Sequence, residues 1–515
     1  MCWKVGLTAT LFRPTAVLVA AGVALSACAS DEKPSGKPSS SAVPSGSAPT
    51  NATPLQSRVM MQNSKVRVDL MGLERTSDKV VVARLRVVNQ DGGDFTFGST
   101  LSSLQQARAD GEKLDANAVS AISLFDPANS RRHFPLMDGE NKCLCTRYLA
   151  APQLQAGHSI ELTAAFPAPP ANVGKVTVLF PNAAPFTDVP VGNRPGAMMT
   201  VEKEQQIDPA NTPTKAPRVL PVAALTENAT GVEEDRGGDL RVRVSSDVLF
   251  ALNKADLTPR AQDVLKEVAA KIDRSPGNTV TIDGHTDNSG NDGINGPLSE
   301  RRAQSVQRAL QKLVTRAGVT YQSKGHGSSQ PVASNDTDRG RALNRRVTVS
   351  FARPRPATAP PSGPAASGTG KIVQRIQGTP PKGYTGDWPR NARVEIGSLR
   401  RSSEGYATLS WTVFNDDSKT LNVDRVFTGL SLSEGYFGFG VNGVSLENGK
   451  LRYRVLRDED SNGLGSSFTV MNPQVGELTQ GESLTLTAMY KIPAEISTVT
   501  VDLPGFGKAQ NVPVQ

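Results

Sequence analysis

The chain has 515 residues with 36 Pro, 46 Gly and only 5% aromatic residues, which indicates several globular pieces joined by flexible segments rather than one dense enzyme core. Its formal net charge of +8 fits a nucleic acid, a polyanionic cell wall or an anionic lipid surface as partner. The basic residues are scattered among acidic ones instead of forming runs, which argues against a nucleic-acid-binding protein.

The first residues have the pattern of an export signal. Lys4 and Arg13 precede an apolar run over 16–24, and small residues follow it. The pattern predicts a signal peptide over 1–27. The run is shorter than the about 20 residues of a membrane-spanning helix, and no other stretch is apolar enough to span. We therefore expect no transmembrane helix in the mature protein.

The signal ends in Leu-Ser-Ala-Cys, which resembles the bacterial lipobox. The resemblance implies that Cys28 is acylated with lipid chains such as palmitate and becomes the first mature residue. The alternative is an ordinary signal with a chance cysteine. An acylated Cys28 places the protein in the outer membrane of a diderm or on the outer face of the cytoplasmic membrane of a monoderm.

Three segments are typical of linkers. The Ser/Pro/Gly-rich segment 28–54 predicts a disordered tether, and the Pro/Gly-rich segment 353–375 predicts a second linker. A weaker boundary predicts a connector over 201–239.

The segments 55–200 and 376–515 repeat each other. VRVDLMGLER from Val66 matches ARVEIGSLRR from Ala392, and LQAGHSIELTAAF from Leu154 matches LTQGESLTLTAMY from Leu478. This spacing is that of duplicated domains rather than a solenoid. Apolar residues alternate in both copies, so we predict two all-β sandwiches of immunoglobulin-like kind.

Two cysteines, Cys143 and Cys145, stand in the first copy as Cys-Leu-Cys. In an oxidising compartment we favour a local disulfide between them. Buried reduced thiols are the alternative, and a metal site lacks further nearby Cys or His ligands. The second copy lacks the pair, so the fold of the repeat does not require it.

The segment 240–352 changes to an α+β pattern. The order is a strand from Leu240, a helix capped by Thr258-Pro259, a strand, a helix from about Leu298 capped by Ser299, a strand, a short helix and a closing strand. Such an order predicts helices packed on one sheet.

The run GHTDNSGNDGINGPLSERRAQSV, followed by GHGSSQPVASNDTDRGRALNRRVTV, resembles the OmpA-like C-terminal domain. The resemblance implies binding of the diaminopimelate of the peptidoglycan stem peptide, with Asp287 on the amine and Arg302 on the carboxylate. It also implies contacts from Asn295, Asn253 and Arg345, and Arg345-Arg346 stand for the closing NRR of the family. The family often has Asp after the Phe of its first strand, whereas Ala251 follows Phe250 here, which puts that contact in doubt.

The charges support the same site. If the helix begins near Leu298, Arg302 lies in its first turn, where the helix dipole disfavours a cation by about 0.3–1 kcal/mol. Asp287 or a bound carboxylate would compensate, and a zwitterionic ligand would satisfy both side chains. A structural Asp287–Arg302 ion pair is the alternative.

Other chemistry is weakly indicated. His285 and His326 are more often loop hydrogen-bonding residues than metal ligands. The sequence has no phosphate-cradling or nucleophile-elbow motif, so we assign no catalytic residue, metal or cofactor. Arg345 and Arg346 start a strand, whose alternation turns one side chain inward and one outward.

The sequence therefore predicts a non-enzymatic lipoprotein that binds peptidoglycan and tethers a membrane to the wall. One alternative is an adhesin or receptor whose sandwich domains bind an unknown protein partner. A cell-wall hydrolase is less favoured, since no pair of poised carboxylates is evident.

Overall fold

The computed structural model describes residues 52–97, 101, 118–148, 153–202, 205–354, 372–380, 388–397, 399–428, 440–460, 462–466 and 476–515. The predicted signal peptide, Cys28, nearly all of the tether and the middle of the second linker lie outside these residues. Among the described residues, no helix has the length and hydropathy needed to cross a bilayer.

The N-terminal segment is built of strands, and its longest strands, over 66–75 and 80–89, are buried along most of their length. One sheet has the order β1-β2-β3-β8, and β11 pairs with the C-terminal end of β2. The strands of a second sheet have the order β10-β9-β5-β6. Val68 and Leu85 from the first sheet share one buried core with Leu124 and Val178 from the second. The strands are β1 (Gln56–Val59), β2 (Val66–Arg75), β3 (Val80–Asn89), β4 (Phe95–Thr96), β5 (Ser123–Asp126), β6 (Arg131–His133), β7 (Gln153–Leu154), β8 (Ser159–Pro167), β9 (Lys175–Leu179), β10 (Phe186–Pro190), β11 (Gly192–Asn193), β12 (Met199–Glu202) and β13 (Gln205–Ile207).

A hairpin follows, formed by β14 (Val219–Glu227) and β15 (Gly231–Asp235). The sequence predicted only a connector here. β14 pairs with β6 on the N-terminal side, while β15 pairs with the first strand of the next segment. The hairpin thus continues the sheet hydrogen bonding from one segment into the next.

The central module is an α+β unit with the sheet order β16-β19-β17-β18. Its helices cover one face of the sheet, where Val242, Leu265, Val280, Val306 and Val349 form a buried core. β17 and β18 are parallel, and β19 runs antiparallel to both β16 and β17. The elements are β16 (Asp239–Ser245), α1 (Ser246–Leu249), α2 (Pro259–Asp273), β17 (Thr279–Gly284), α3 (Asp292–Leu313), β18 (Thr320–Gly325), α4 (Asp338–Asn344) and β19 (Arg346–Ala352).

Two local expectations for this module were wrong. The first strand ends at Ser245 and turns into the one-turn helix α1. α3 begins at Asp292, with Asn291 as its N-cap, and continues through Pro297. Ser299 is therefore no cap; its hydroxyl is buried and accepts a hydrogen bond from the backbone of Gly327 at 2.9 Å. A proline here removes only one helical hydrogen bond, and the Asn291 cap satisfies an earlier backbone donor.

The C-terminal segment repeats the pairing of the N-terminal one. Its sheets have the orders β20-β21-β23-β29 and β31-β30-β25-β26. It also contains one helix, α5, that the sequence did not indicate. The elements are β20 (Ile372–Gln377), β21 (Ala392–Gly397), β22 (Arg400–Arg401), β23 (Tyr406–Asn415), β24 (Leu421–Asn422), α5 (Val423–Thr428), β25 (Ser445–Asn448), β26 (Leu451–Arg454), β27 (Arg457–Asp458), β28 (Glu477–Leu478), β29 (Ser483–Lys491), β30 (Thr498–Leu503) and β31 (Gly507–Pro513).

The β14 strand lies between the two repeated segments. It pairs with β6 through Val219–Pro221 and with β27 through Val222–Ala223. Phe125 and Tyr406, one from each segment, pack edge to face with ring centres 4.9 Å apart. Among the described residues, one of the two sheets of each segment, the hairpin and the sheet of the module thereby form one continuous sheet of fifteen strands, while the other sheet of each segment, with five strands, stays separate.

A buried carboxylate connects the hairpin to its neighbours. Glu234 is fully buried and interacts with Arg236 at 2.8 Å, with Arg457 at 3.7 Å and with Arg243. Burial by itself raises the pKa of Glu234, but the three arginines outweigh this effect and the pKa is lowered. Three cations from the hairpin, the module and the C-terminal segment therefore share one anion.

Candidate functional site

The candidate site lies where β17 ends and its chain leads into α3. Asp287 follows β17 in the sequence His-Thr-Asp and is only 6% exposed. Its carboxylate accepts hydrogen bonds from the backbone of Ser289 at 2.9 Å and from Arg345 at 2.7 Å. Burial raises the pKa of Asp287, but the hydrogen bonds from Arg345 and Ser289 outweigh burial and lower it. Asp287 is thus a buried anion that stays ionised at neutral pH.

Arg302 projects from α3 and is also 6% exposed. Its Nε donates to the carbonyl oxygen of Lys254 at 2.9 Å, and its guanidinium carbon lies 5.2 Å from the centre of the Phe250 ring. Among the described residues it forms no hydrogen bond or ion pair with a carboxylate. Burial lowers the pKa of Arg302, and the charge of Asp247 partly offsets this.

The position of Arg302 corrects the helix-dipole argument. Because α3 begins at Asp292, Arg302 lies well beyond the first turn, where the dipole no longer acts strongly. The structural Asp287–Arg302 ion pair is likewise not formed, since Asp287 pairs with Arg345 instead. The Asp287 carboxylate and the Arg302 guanidinium are close enough to influence each other electrostatically, but they form no ion pair.

Arg345 connects two carboxylates. It donates to both oxygens of Asp247, at 3.0 and 2.7 Å, and to one oxygen of Asp287. The bonds to Asp247 above all, and those to Asp287, raise the pKa of Arg345. Sequence reasoning missed Asp247, because it expected a strand where α1 turns this carboxylate toward the site.

The two candidate asparagines have different positions. Asn295 is buried in α3 and donates to the carbonyl oxygens of Ser289 at 3.0 Å and Asp287 at 3.5 Å, so it holds the loop that carries Asp287. Asn253 is exposed, with a positive φ of 56°, in the loop whose next residue, Lys254, accepts from Arg302. It makes no side-chain contact with the other candidates.

The two histidines of the module stack on each other with ring centres 5.0 Å apart. His326 Nε2 lies 2.9 Å from the Asp283 carboxylate. Burial, followed by the nearby charge of Arg346, lowers the pKa of His285 to about 3, so this ring is neutral at pH 7. Within the described ranges, no three His, Cys, Asp or Glu side chains form a group that could hold a metal.

Cys143 and Cys145 lie far from this site in sequence and are joined by a disulfide. They form backbone bridges with Met137 and Ala164. In the second repeat, Gly463 and Gly465 form the corresponding bridges with Arg457 and Ala488. Cysteines and glycines thus occupy equivalent positions of the two copies.

Comparison with known proteins assigns the module. The sequence profile described as the OmpA family matches residues 249–345. The chain is 36% identical over 134 residues to the outer-membrane lipoprotein YfiB of Pseudomonas aeruginosa, covering 25% of this chain and 79% of the relative. It is 40% identical over 123 residues to the peptidoglycan-binding protein ArfA of Mycobacterium tuberculosis, covering 24% of this chain and 37% of the relative.

The match to larger relatives is partial. The chain is 40% identical to outer membrane porin F of P. aeruginosa over 106 residues, which is 21% of this chain and 30% of that protein. Among solved structures, the cell wall anchor of the T6SS from P. aeruginosa is 31% identical, with 24% of this chain and 86% of that chain covered and a TM-score of 0.22. The family assignment therefore depends on the sequence matches, and by them this chain belongs to the OmpA family.

Proposed function

We propose that this protein binds peptidoglycan non-covalently through its central module, without catalysing a reaction. The observation that carries the proposal is the pair of buried opposite charges, Asp287 and Arg302, which do not neutralise each other. A buried guanidinium without an anionic partner is costly, and a ligand carboxylate would satisfy it. The name of the ArfA relative supports the same function.

Diaminopimelate fits these two groups chemically. The far end of its side chain carries an ammonium and a carboxylate on one carbon, whereas lysine carries only the ammonium there. The carboxylate would accept from Arg302 in charge-assisted hydrogen bonds, while the ammonium would donate to Asp287. An ionised Asp287 retains acceptor capacity beyond its bonds to Ser289 and Arg345.

The test is co-sedimentation of the full chain with purified sacculi. We expect free diaminopimelate to release the protein from the sacculi. An equal concentration of Nα-acetyl-lysine amide, whose α-amine and α-carboxylate are both blocked, should release little, because it offers an ammonium to Asp287 but no carboxylate to Arg302. Equal release by both compounds would show that Arg302 does not recognise the carboxylate.

We propose further that the protein is a tether, with the acylated Cys28 in a membrane of the cell envelope and the module on the wall. The lipoprotein relative YfiB supports this arrangement. The two strand-rich segments are proposed to be duplicated immunoglobulin-like sandwiches over 55–200 and 376–515. The two segments have matching strand orders, and in each of them the two sheets enclose one hydrophobic core. Both observations support this proposal.

Replacing the proposed lipid attachment residue should release the protein. In Cys28→Ser, a hydroxyl replaces the thiol that receives the diacylglyceryl group, and the acyl chains, each worth about 0.8 kcal/mol per buried methylene, are lost. We expect no incorporation of a fatty-acid probe and a protein missing from the membrane fraction or stalled as its precursor. Cys143→Ser is the matched control and should label normally; labelling that persists in Cys28→Ser would contradict the anchor.

A further inference from the structure

The helices of the module cover only one face of its sheet, and the other face is polar. Alternation along β16 and β19 turns Val242 and Val349 toward the helices and turns Arg241, Arg243 and Thr348 to the opposite side. This open face forms a cleft of about 570 Å³, lined entirely by residues of the module between Asp239 and Ala352.

The register of the strands arranges the polar residues in rows. Arg241 lies opposite Ser350, which lies opposite Thr281 on the next strand. In the following row, Arg243 lies opposite Thr348. Hydroxyl groups therefore lie beside arginines across three neighbouring strands.

The positive charges of the cleft exceed its negative charges. Of the lining carboxylates, Asp283 already faces His326, and Asp239 stands at the outer end of β16. Arg243 is paired with the buried Glu234, which lies opposite Arg241 on β15 and borders the cleft. Among the described residues, Arg241 has no carboxylate within ion-pair distance.

Arg346 is a second cation of the cleft without an ion pair among the described residues, although the charge of Asp283 partly offsets the effect of its burial. It is 6% exposed, and among the described residues its guanidinium donates to the carbonyl oxygens of Asn344 at 3.3 Å and Gln330 at 3.0 Å. Its Nε is buried without a hydrogen-bond partner, as is Nδ1 of the neighbouring His285. Burial, followed by the charge of Arg243, lowers the pKa of Arg346 to about 10, so it remains charged at pH 7.

A sheet face that is merely exposed to water would not require unsatisfied buried nitrogen atoms or an excess of positive charge. Antiparallel sheets often expose a polar face to water, but long cations on such a face are usually hydrated or paired. Here, among the described residues, one buried donor, Nε of Arg346, and one buried ring nitrogen, Nδ1 of His285, are unsatisfied in a concave, cationic and hydroxyl-lined space. An unsatisfied buried donor costs about 1–3 kcal/mol, which a bound acceptor would remove.

We infer that this cleft is a second binding site, for an anionic group carried on a hydroxyl-rich polymer. Arg241 and Arg346 lie four residues apart along the paired strands, so successive anionic groups of the polymer would accept from them, and the polymer's hydroxyls would exchange hydrogen bonds with Thr281 and Thr348. Phosphate and carboxylate share this chemistry, so the polymer could be a phosphodiester chain or an acidic polysaccharide. The site is on the face away from the helices and is independent of the proposed diaminopimelate contact.

The test measures binding of fluorescently labelled polymers to the full chain in detergent at fixed salt concentration. The probes are poly(glycerol phosphate), polygalacturonate and, as a neutral control, dextran. We expect binding of at least one of the two anionic polymers and none of dextran. The anionic polymer that binds identifies the source of the anion.

Two variants address the cleft directly. Arg241→Gln removes a cation that forms no ion pair, and Thr281→Glu places a carboxylate in the same row of the sheet. Each should weaken polymer binding about ten-fold, as expected for the loss of one charge-assisted contact. Arg260→Gln, on the exposed surface of α2, removes the same charge from the helical face and should leave binding within about two-fold of wild type.

The affinity for free diaminopimelate should stay unchanged in all three variants. The inference is overturned if neither anionic polymer binds, or if Arg260→Gln weakens binding as much as the cleft variants do, which would indicate attraction by net charge alone. A parallel loss of diaminopimelate binding in Arg241→Gln would overturn the independence of the two sites.

Discussion

Arg302→Ala and Asp287→Ala should each lower the affinity of the full chain for free diaminopimelate at least ten-fold. Each variant removes a charge-assisted contact of about 1.5–3 kcal/mol, and about 1.4 kcal/mol corresponds to a factor of ten. Arg302→Ala removes a buried guanidinium that, among the described residues, is not paired with a carboxylate. Isothermal titration of wild type and variants with diaminopimelate measures the effect.

The neighbouring Arg301 provides a matched control. It stands beside Arg302 in the same helix but is exposed, so Arg301→Ala removes an equal charge from the same turn and should leave the affinity unchanged. Arg302→Ala also removes the contact with Phe250, and some loss of thermal stability is expected. A purely structural role for Arg302 predicts lower thermal stability with unaltered affinity, and this result would refute the site.

Glu234→Ala should destabilise the protein by about 3–5 kcal/mol, because it leaves several arginines buried without their shared anion. The effect should exceed that of Glu233→Ala, whose partner Lys271 lies at a partly exposed position. Loss of the Glu233 ion pair should cost at most about 1 kcal/mol. Urea denaturation followed by tryptophan fluorescence compares the free energies of unfolding, and equal losses in the two variants would contradict the role of Glu234.

The contribution of Glu234 should also depend on pH. Its pKa in the folded protein is lowered relative to its value in the unfolded chain, about 4.3. The stabilisation is therefore fully present above that value and disappears as the pH falls through the folded pKa. The difference in stability between wild type and Glu234→Gln should be constant near neutrality and shrink in acid. A difference that grows in acid would require a raised pKa instead.

Local patterns predicted most of the elements of the central module. The helix α2 begins at Pro259 with Thr258 as its N-cap, as expected, and the strands β17, β18 and β19 lie where alternation and turn residues indicated. These signals are contained within about ten neighbouring residues, since caps and periodicity act over one or two turns. The start of α3 was misplaced because Pro297 is a strong local signal for a helix boundary, and the Asn291 cap prevailed over it.

The sequence alone predicted Asp287, Asn295 and Arg302 as members of the candidate site, because they lie within one motif, but it did not predict Asp247. It also determined that the outer segments are copies of each other. Only the tertiary structure decided the partners of the charges. Arg345 reaches Asp247 and Asp287 because α1, the C-terminal end of β17 and the N-terminal end of β19 lie together at the same ends of the strands. Such pairings depend on how distant segments pack against each other, which the caps and the periodicity of a single segment do not specify.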